Sequence, residues 1–139
     1  MARFNINDES CTNHFIQHAL ASVLNDSNDY GKEIIKKLIK RRDLCLKKLN
    51  SIADLDISTP ESTFYLFPNV SKIMGKKGYD NLEKFRIDVL KNTGVSFCTR
   101  EHFGTPFLNE EEQYIRFAYS GITRKEISEG LDKFINWIN

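Results

Sequence analysis

The sequence predicts an α+β fold, a small and mostly antiparallel sheet with helices packed on one face. Three observations carry that expectation. The chain has 139 residues, of which 40% are hydrophobic and 28% charged, enough for one domain with its own core. Stretches with apolar residues at helical spacing alternate with short runs rich in aromatic and β-branched residues. The order along the chain reads α-α-β-β-α-β-β-α, with the first strand the weakest signal, and helices interleaved with a few strands suit a sheet covered on one side. Residues 1–12 are expected to be a loose N-terminal segment and residues 13–139 a single domain.

Each element has its own justification. Thr12 or Asn13 can cap a helix running to about Leu24, with Phe15, Ala19 and Val23 on one face. Asn25 to Asp29 is a cluster of turn residues. A long amphipathic helix follows, to about Asn50, with Ile35, Leu38, Cys45 or Leu46, and Leu49 as its apolar stripe. Ile52 to Ile57 reads as a short strand, broken by Ser58, Thr59 and Pro60. Phe64 to Phe67 is a strand by composition and Pro68 stops it. Met74 to Gly78 reads as a loop. Asp80 is expected to open a helix to about Asn92, with Glu83 three residues on in a capping-box arrangement. Leu82, Phe85, Val89 and Leu90 form its apolar face, and Gly94 suits a left-handed helix end. Val95 to Cys98 and Tyr114 to Tyr119 are expected strands. Thr123 with Glu126 marks the start of a last helix that packs Ile127, Leu131, Phe134, Ile135 and Ile138.

Composition narrows the function. A net charge of +1 makes no general case for nucleic acid or an anionic membrane. No apolar run is long enough for a bilayer, and Met1 to Glu9 lacks the apolar stretch of a secretory signal. Cys11, Cys45 and Cys98 lie far apart without metal-ligand spacing, which points to free thiols and a cytoplasmic location. The basic run Lys36, Lys37, Lys40, Arg41, Arg42, Lys47 and Lys48 reads as the solvated face of the long helix rather than a phosphate track, since no aromatic residues alternate with it. His14 and His18 stand four apart on a helix, but no carboxylate or third ligand completes a zinc pattern. Cys98 reads as a small buried hydrophobe, and His102 as surface or partly packed.

The most informative residue is Arg116, set between Ile115 and Phe117 in a strand otherwise built for burial. Alternation puts Tyr114, Arg116 and Ala118 on one side and Ile115, Phe117 and Tyr119 on the other. A planar guanidinium matches a carboxylate with two parallel hydrogen bonds. On pattern alone the ordinary reading is a salt bridge to a nearby Asp or Glu. The functional reading is an anion clamp at the edge of a pocket.

Four stretches together resemble the C-terminal small domain of class I, fold-type-I aminotransferases of the aspartate aminotransferase-like group. They are Ser10 to Ala19, Arg41-Arg42-Asp43, Pro60 to Phe67, and Gly94-Val95 through Phe103-Gly104 to Tyr114–Ala118, within residues 8–139. The resemblance implies that Arg116 binds the α-carboxylate of an amino-acid or 2-oxo-acid substrate, and that Phe103 and Gly104 shape the loop beside it. The family often has Pro-Gly where this chain has Thr99-Arg100, which raises Arg100 as a second cation near the pocket. It often has Gly where Ser62 or Thr63 stands. The family's pyridoxal phosphate is held by a lysine and an aspartate upstream of the segment matched at Ser10, so the expectation is a domain inactive alone, binding no cofactor itself and working with a large catalytic domain. Apolar surface left by that domain would favour self-association. The alternative is a stand-alone module, derived from such an enzyme, that binds a ligand or a protein.

Overall fold

The protein's structure, a computed structural model, describes residues 13–105 and 107–139. The expected loose segment, Cys11 and the capping role of Thr12 therefore lie outside the described residues. The chain separates into two compact units, Met1–Ile34 and Ile35–Asn139.

The described part of the first unit holds α1 (His14–Leu24) and the expected turn cluster. Asn13 takes the N-cap position but its side chain makes no capping bond. The Asp26 carboxylate organises the turn, accepting from the Asn28 backbone and side chain and from the Tyr30 hydroxyl.

The second unit carries the core. Helix α2 (Lys32–Leu49), whose first residues belong to the first unit, buries Cys45, Leu46 and Leu49 at helical spacing. Ile35, expected on the buried stripe, is exposed. The strand expected over Ile52 to Ile57 does not form. The backbone bonds of Ile52 to Leu49 and of Leu55 to Ile52 span three residues each, so the chain coils and buries both side chains. Only Asp56 pairs, in a single antiparallel bridge to Asn69.

Strand β1 (Tyr65–Leu66) is followed by α3 (Ser71–Lys76) where a loop was expected. The Asn69 side chain accepts from both the backbone N–H and the hydroxyl of Ser71, and Ile73 and Met74 drop into the core. Helix α4 (Leu82–Thr93) is capped by Asn81, not Asp80: the Asn81 side chain accepts from Lys84 N–H at 2.8 Å. Glu83 is thereby free to pair with Arg86, which holds its carboxyl below the usual range. Phe85 and Val89 are fully buried while Leu90 is 40% exposed, so the buried face turns toward Thr93 instead. Gly94 ends the helix at φ 73°, in the left-handed conformation expected of it.

Strands β2 (Cys98–Thr99) and β3 (Ile115–Ala118) are shorter than expected, and a 3-10 turn over Arg100–Phe103 follows β2. The sheet order is β1-β3-β2, antiparallel throughout, with Leu66 opposite Phe117 and Cys98 opposite Arg116. The final helix α5 (Arg124–Ile138) opens with the expected reciprocal cap of Thr123 and Glu126. It buries Ile127, Leu131 and Phe134, with Ile135 and Ile138 packed at the edge. Phe85 meets Phe97 and Trp137, and Phe117 meets Phe97 and Phe134, at ring separations of 5.5–6.1 Å. Burying each such ring contributes about 1.5–3 kcal/mol. The α+β class with a small antiparallel sheet is thus the one observed, and its core face leaves the opposite face to Tyr65, Cys98 and Arg116.

Candidate functional site: an arginine between two rings

Arg116 lies on the middle strand, and the alternation read from sequence holds: Ile115, Phe117 and Tyr119 are buried while Arg116 is partly exposed on the opposite face. Antiparallel pairing brings Cys98 directly opposite it, and Tyr65 projects on the same side from β1. The guanidinium carbon sits 4.1 Å from the Tyr65 ring and 4.3 Å from the Phe103 ring. Its stem and plane are therefore held between two aromatic side chains.

The hydrogen bonding of Arg116 is far from complete. A guanidinium has five N–H donors. One terminal nitrogen donates to the Cys98 sulfur at 3.7 Å, and the buried Nε has no partner. Among the described residues no carboxylate pairs with Arg116. The ordinary reading, a salt bridge inside the protein, is not what these residues form. Cys98 departs from expectation too, since it is partly exposed beside the guanidinium, and Phe97 takes the buried position.

The loop beside Arg116 is held by a second arginine. Thr99 starts the 3-10 turn, and its backbone N–H donates to Nδ1 of His102 at 3.1 Å. Gly104 ends the turn at φ 111°, a conformation open to glycine and strained for any side chain. Arg100 donates from Nε to Glu110 at 2.7 Å and from its two terminal nitrogens to the carbonyls of Gly104 and Thr105 at 3.3 Å. The other Glu110 oxygen accepts from Phe107 N–H at 2.9 Å. Arg100 is thus near Arg116, as expected, but its charge is matched by Glu110.

Phe67, Arg100, Phe103, Phe107 and Arg116 line one open cavity of about 390 Å3. Tyr114 stacks on Phe67 with ring planes 3° apart, and the hydroxyl it donates to Glu112, together with burial, pushes its phenol up. The arrangement offers an unmet cation within aromatic walls, which suits a small carboxylate carrying an apolar group. Among the described residues no lysine lines the cavity to hold pyridoxal phosphate as a Schiff base.

Sequence reasoning singled out Arg100, Phe103, Gly104 and Arg116, and the structure brings all four to one place. It passed over Tyr65, Phe67, Phe107 and Glu110. Tyr65 was within reach, since pairing β1 to β3 with Leu66 inward puts it on the Arg116 side. Glu110 sits in an acidic run, Glu110-Glu111-Glu112, where nothing local marks which carboxylate turns inward.

The other candidates resolve differently. His14 and His18 meet edge to face at 4.6 Å and are exposed, and no group of three His, Cys, Asp or Glu among the described residues could hold a metal. The basic run of α2 is partly spent inside the fold: Arg41 donates to the Ser120 carbonyl, Arg42 pairs with Asp43, and Lys48 pairs with Asp132. Among the described residues no helix is long and apolar enough to cross a membrane.

Comparison with known proteins now has a geometry to stand beside. Residues 4–134 match the family described as aminotransferase class I and II. Aspartate aminotransferase of Sulfolobus acidocaldarius is 27% identical over 139 residues, all of this chain and 33% of that protein. Aspartate aminotransferase of Rhizobium meliloti is 37% identical over 130 residues, 89% of this chain and 30% of that protein. Among solved structures, alanine aminotransferase from Pyrococcus furiosus superposes with a TM-score of 0.79 at 29% identity, over 94% of this chain and 31% of its own. The aromatic aminotransferase from Pyrococcus horikoshii gives 0.78 at 26% identity, over 98% and 34%. The chain spans about a third of the length of the curated relatives it matches.

Proposed function

Since this chain belongs to the class I and II aminotransferase family, we propose that it is the small, substrate-closing C-terminal domain of an amino-acid transaminase. Residues 13–139 would form that domain. The complete enzyme moves an amino group between an amino acid and a 2-oxo acid, and the family implies pyridoxal phosphate there. This chain supplies the substrate clamp, and a large catalytic domain supplies the cofactor's anchor.

The observation that carries the proposal is the unmet guanidinium of Arg116, with a buried Nε lacking a partner, on the face of the sheet opposite Ile115 and Phe117. A buried donor left unpaired costs about 1–3 kcal/mol, and an arriving anion would recover that cost. Arg116 would grip the α-carboxylate in a two-point bond that fixes both position and orientation. Tyr65 and Phe103 hold the guanidinium plane, Gly104 lets the loop turn back beside it, and the Arg100–Glu110 pair keeps that loop folded. Closure of this domain over a bound substrate would exclude water.

Free thiols at Cys45 and Cys98 support a reducing, cytoplasmic setting. Exposed apolar side chains, among them Phe15, Leu24, Phe107 and Leu108, support self-association, which light scattering would read as a mass above that of one chain.

The test is an amino-transfer assay on the purified chain with added pyridoxal phosphate, an amino acid and 2-oxoglutarate, followed by borohydride trapping and peptide mapping. The expected result is no turnover and no specific lysine adduct, together with saturable carboxylate binding that Arg116→Gln abolishes. Turnover with one trapped lysine would overturn the division of labour proposed here.

A further inference from the structure

We propose that the cavity on the core side of the sheet, between α2 and α5, is a binding site for a small uncharged molecule built around an aromatic or aliphatic ring. Phe117 faces it, on the side of β3 opposite Arg116. The site therefore stands or falls independently of the carboxylate clamp.

The cavity has a volume of about 370 Å3. Small-molecule sites typically enclose about 300–1,000 Å3. Every residue lining it belongs to the second unit of this chain. Leu49 of α2, Leu66 of β1, Phe117 of β3, and Ile127 and Leu131 of α5 form the interior, and all five are core residues. Ser96 and Glu126, both exposed, mark where it opens to solvent.

Two observations decide what it takes. The first is Gly130, which lies in the interior of α5 and lines the cavity. A glycine in the middle of a helix weakens it relative to alanine. Among the described residues, a Cβ at Gly130 would meet only the Val95 Cγ2 within 4 Å, at 3.5 Å, an ordinary contact. Packing inside the chain therefore does not call for a glycine. What the glycine provides is width between α5 and Val95, at the cavity itself.

The second observation is the chemistry of the walls. The interior is hydrocarbon apart from the Cys45 thiol and the Tyr119 hydroxyl. The hydroxyl is donated to the Thr63 carbonyl at 3.0 Å. Burial pushes the thiol up to about 11, so its surroundings disfavour charge. Among the described residues no lysine or arginine lines the cavity, and an anion entering it would pass the Glu126 carboxylate. Water finds few hydrogen-bond partners between such walls. A neutral ring exchanges that water for dispersion contacts and buried apolar area.

The test is a titration of the folded, isotope-labelled chain with indole, read by calorimetry and NMR, with benzoate as an anionic ring for competition. Indole should bind saturably in the high micromolar range, and its ring protons should show nuclear Overhauser contacts to the methyl groups of Leu66, Val95 and Ile127. Gly130→Leu places a side chain in the cavity and should weaken indole about tenfold. Excess benzoate should not displace indole. Circular dichroism establishes that Gly130→Leu folds, and the wild-type contacts carry the assignment if it does not. No saturable binding, contacts to Phe67 or Phe103 instead, displacement by benzoate, or undiminished binding in a folded Gly130→Leu would each overturn the site.

Discussion

Replacing Arg116 by methionine separates a binding arginine from a structural one. The variant keeps a straight apolar stem between the Tyr65 and Phe103 rings and deletes the guanidinium. Two ring contacts, at 4.1 and 4.3 Å, are lost. Each is worth about 0.5–1 kcal/mol at a partly exposed position. The unpartnered buried Nε is lost with them, and such an orphan costs about 1–3 kcal/mol. These contributions nearly cancel, so the variant should lie within about 1 kcal/mol of wild type in urea unfolding. An arginine paired to a buried carboxylate behaves differently, because its removal strands a charge at a cost of about 3–5 kcal/mol. A second arm adds 3-phenylpropanoate at tenfold its dissociation constant. Wild type should then gain about 1.4 kcal/mol by mass action, and the variant nothing. A loss above about 3 kcal/mol, or equal stabilisation of both proteins by the acid, would refute the reasoning.

Three further outcomes follow from other parts of the fold. Thr63 holds φ 66°, a left-handed conformation poor for a β-branched residue, while its carbonyl accepts the Tyr119 hydroxyl. Thr63→Gly should stabilise by about 0.5–1 kcal/mol, read as a rise in Tm, whereas Thr63→Ala should not. Glu126 accepts from the Thr123 hydroxyl and N–H, which hold its carboxyl below the ordinary 4.5. A folded value below the unfolded one means this stabilisation is complete above about pH 4.5 and fades as pH falls through the folded value. Unfolding midpoints measured from pH 7 to pH 3 should therefore drop more steeply in wild type than in Glu126→Gln. Burial pushes the Cys45 thiol up to about 11. Alkylation at pH 8 should mark Cys98 before Cys45, and reach Cys45 at a rate that rises sharply with denaturant.

What could be read without coordinates follows the range of the forces involved. Helix α5 was legible in full, because a Thr123–Glu126 cap and an apolar repeat are local signals. The face of Arg116 was legible as well, since strand alternation needs only the neighbours Ile115 and Phe117. Helix α3 was missed because Gly75 and Gly78 read as loop punctuation, while its start depends on the Asn69 side chain folding back on Ser71. The expected strand at Ile52 failed for a related reason: an alternating-looking run was short enough for three-residue turns to bury the same two side chains. At the site, Arg100 was noticed but its neutrality was not. That rests on Glu110, ten residues away across a loop. The resemblance supplied the role proposed for Arg116, and the shortage of hydrogen bonds around it is what no sequence pattern displays.

The place of Arg116 in the sheet has a consequence for how binding would be felt elsewhere. Its strand is the middle one, hydrogen-bonded to β1 on one edge and β2 on the other. Tightening that strand therefore resists the separation of both neighbours at once. Amide hydrogen exchange should slow at Leu66 and Cys98 as well as at Phe117, so an anion arriving at a single side chain is felt as a cooperative stiffening of three strands.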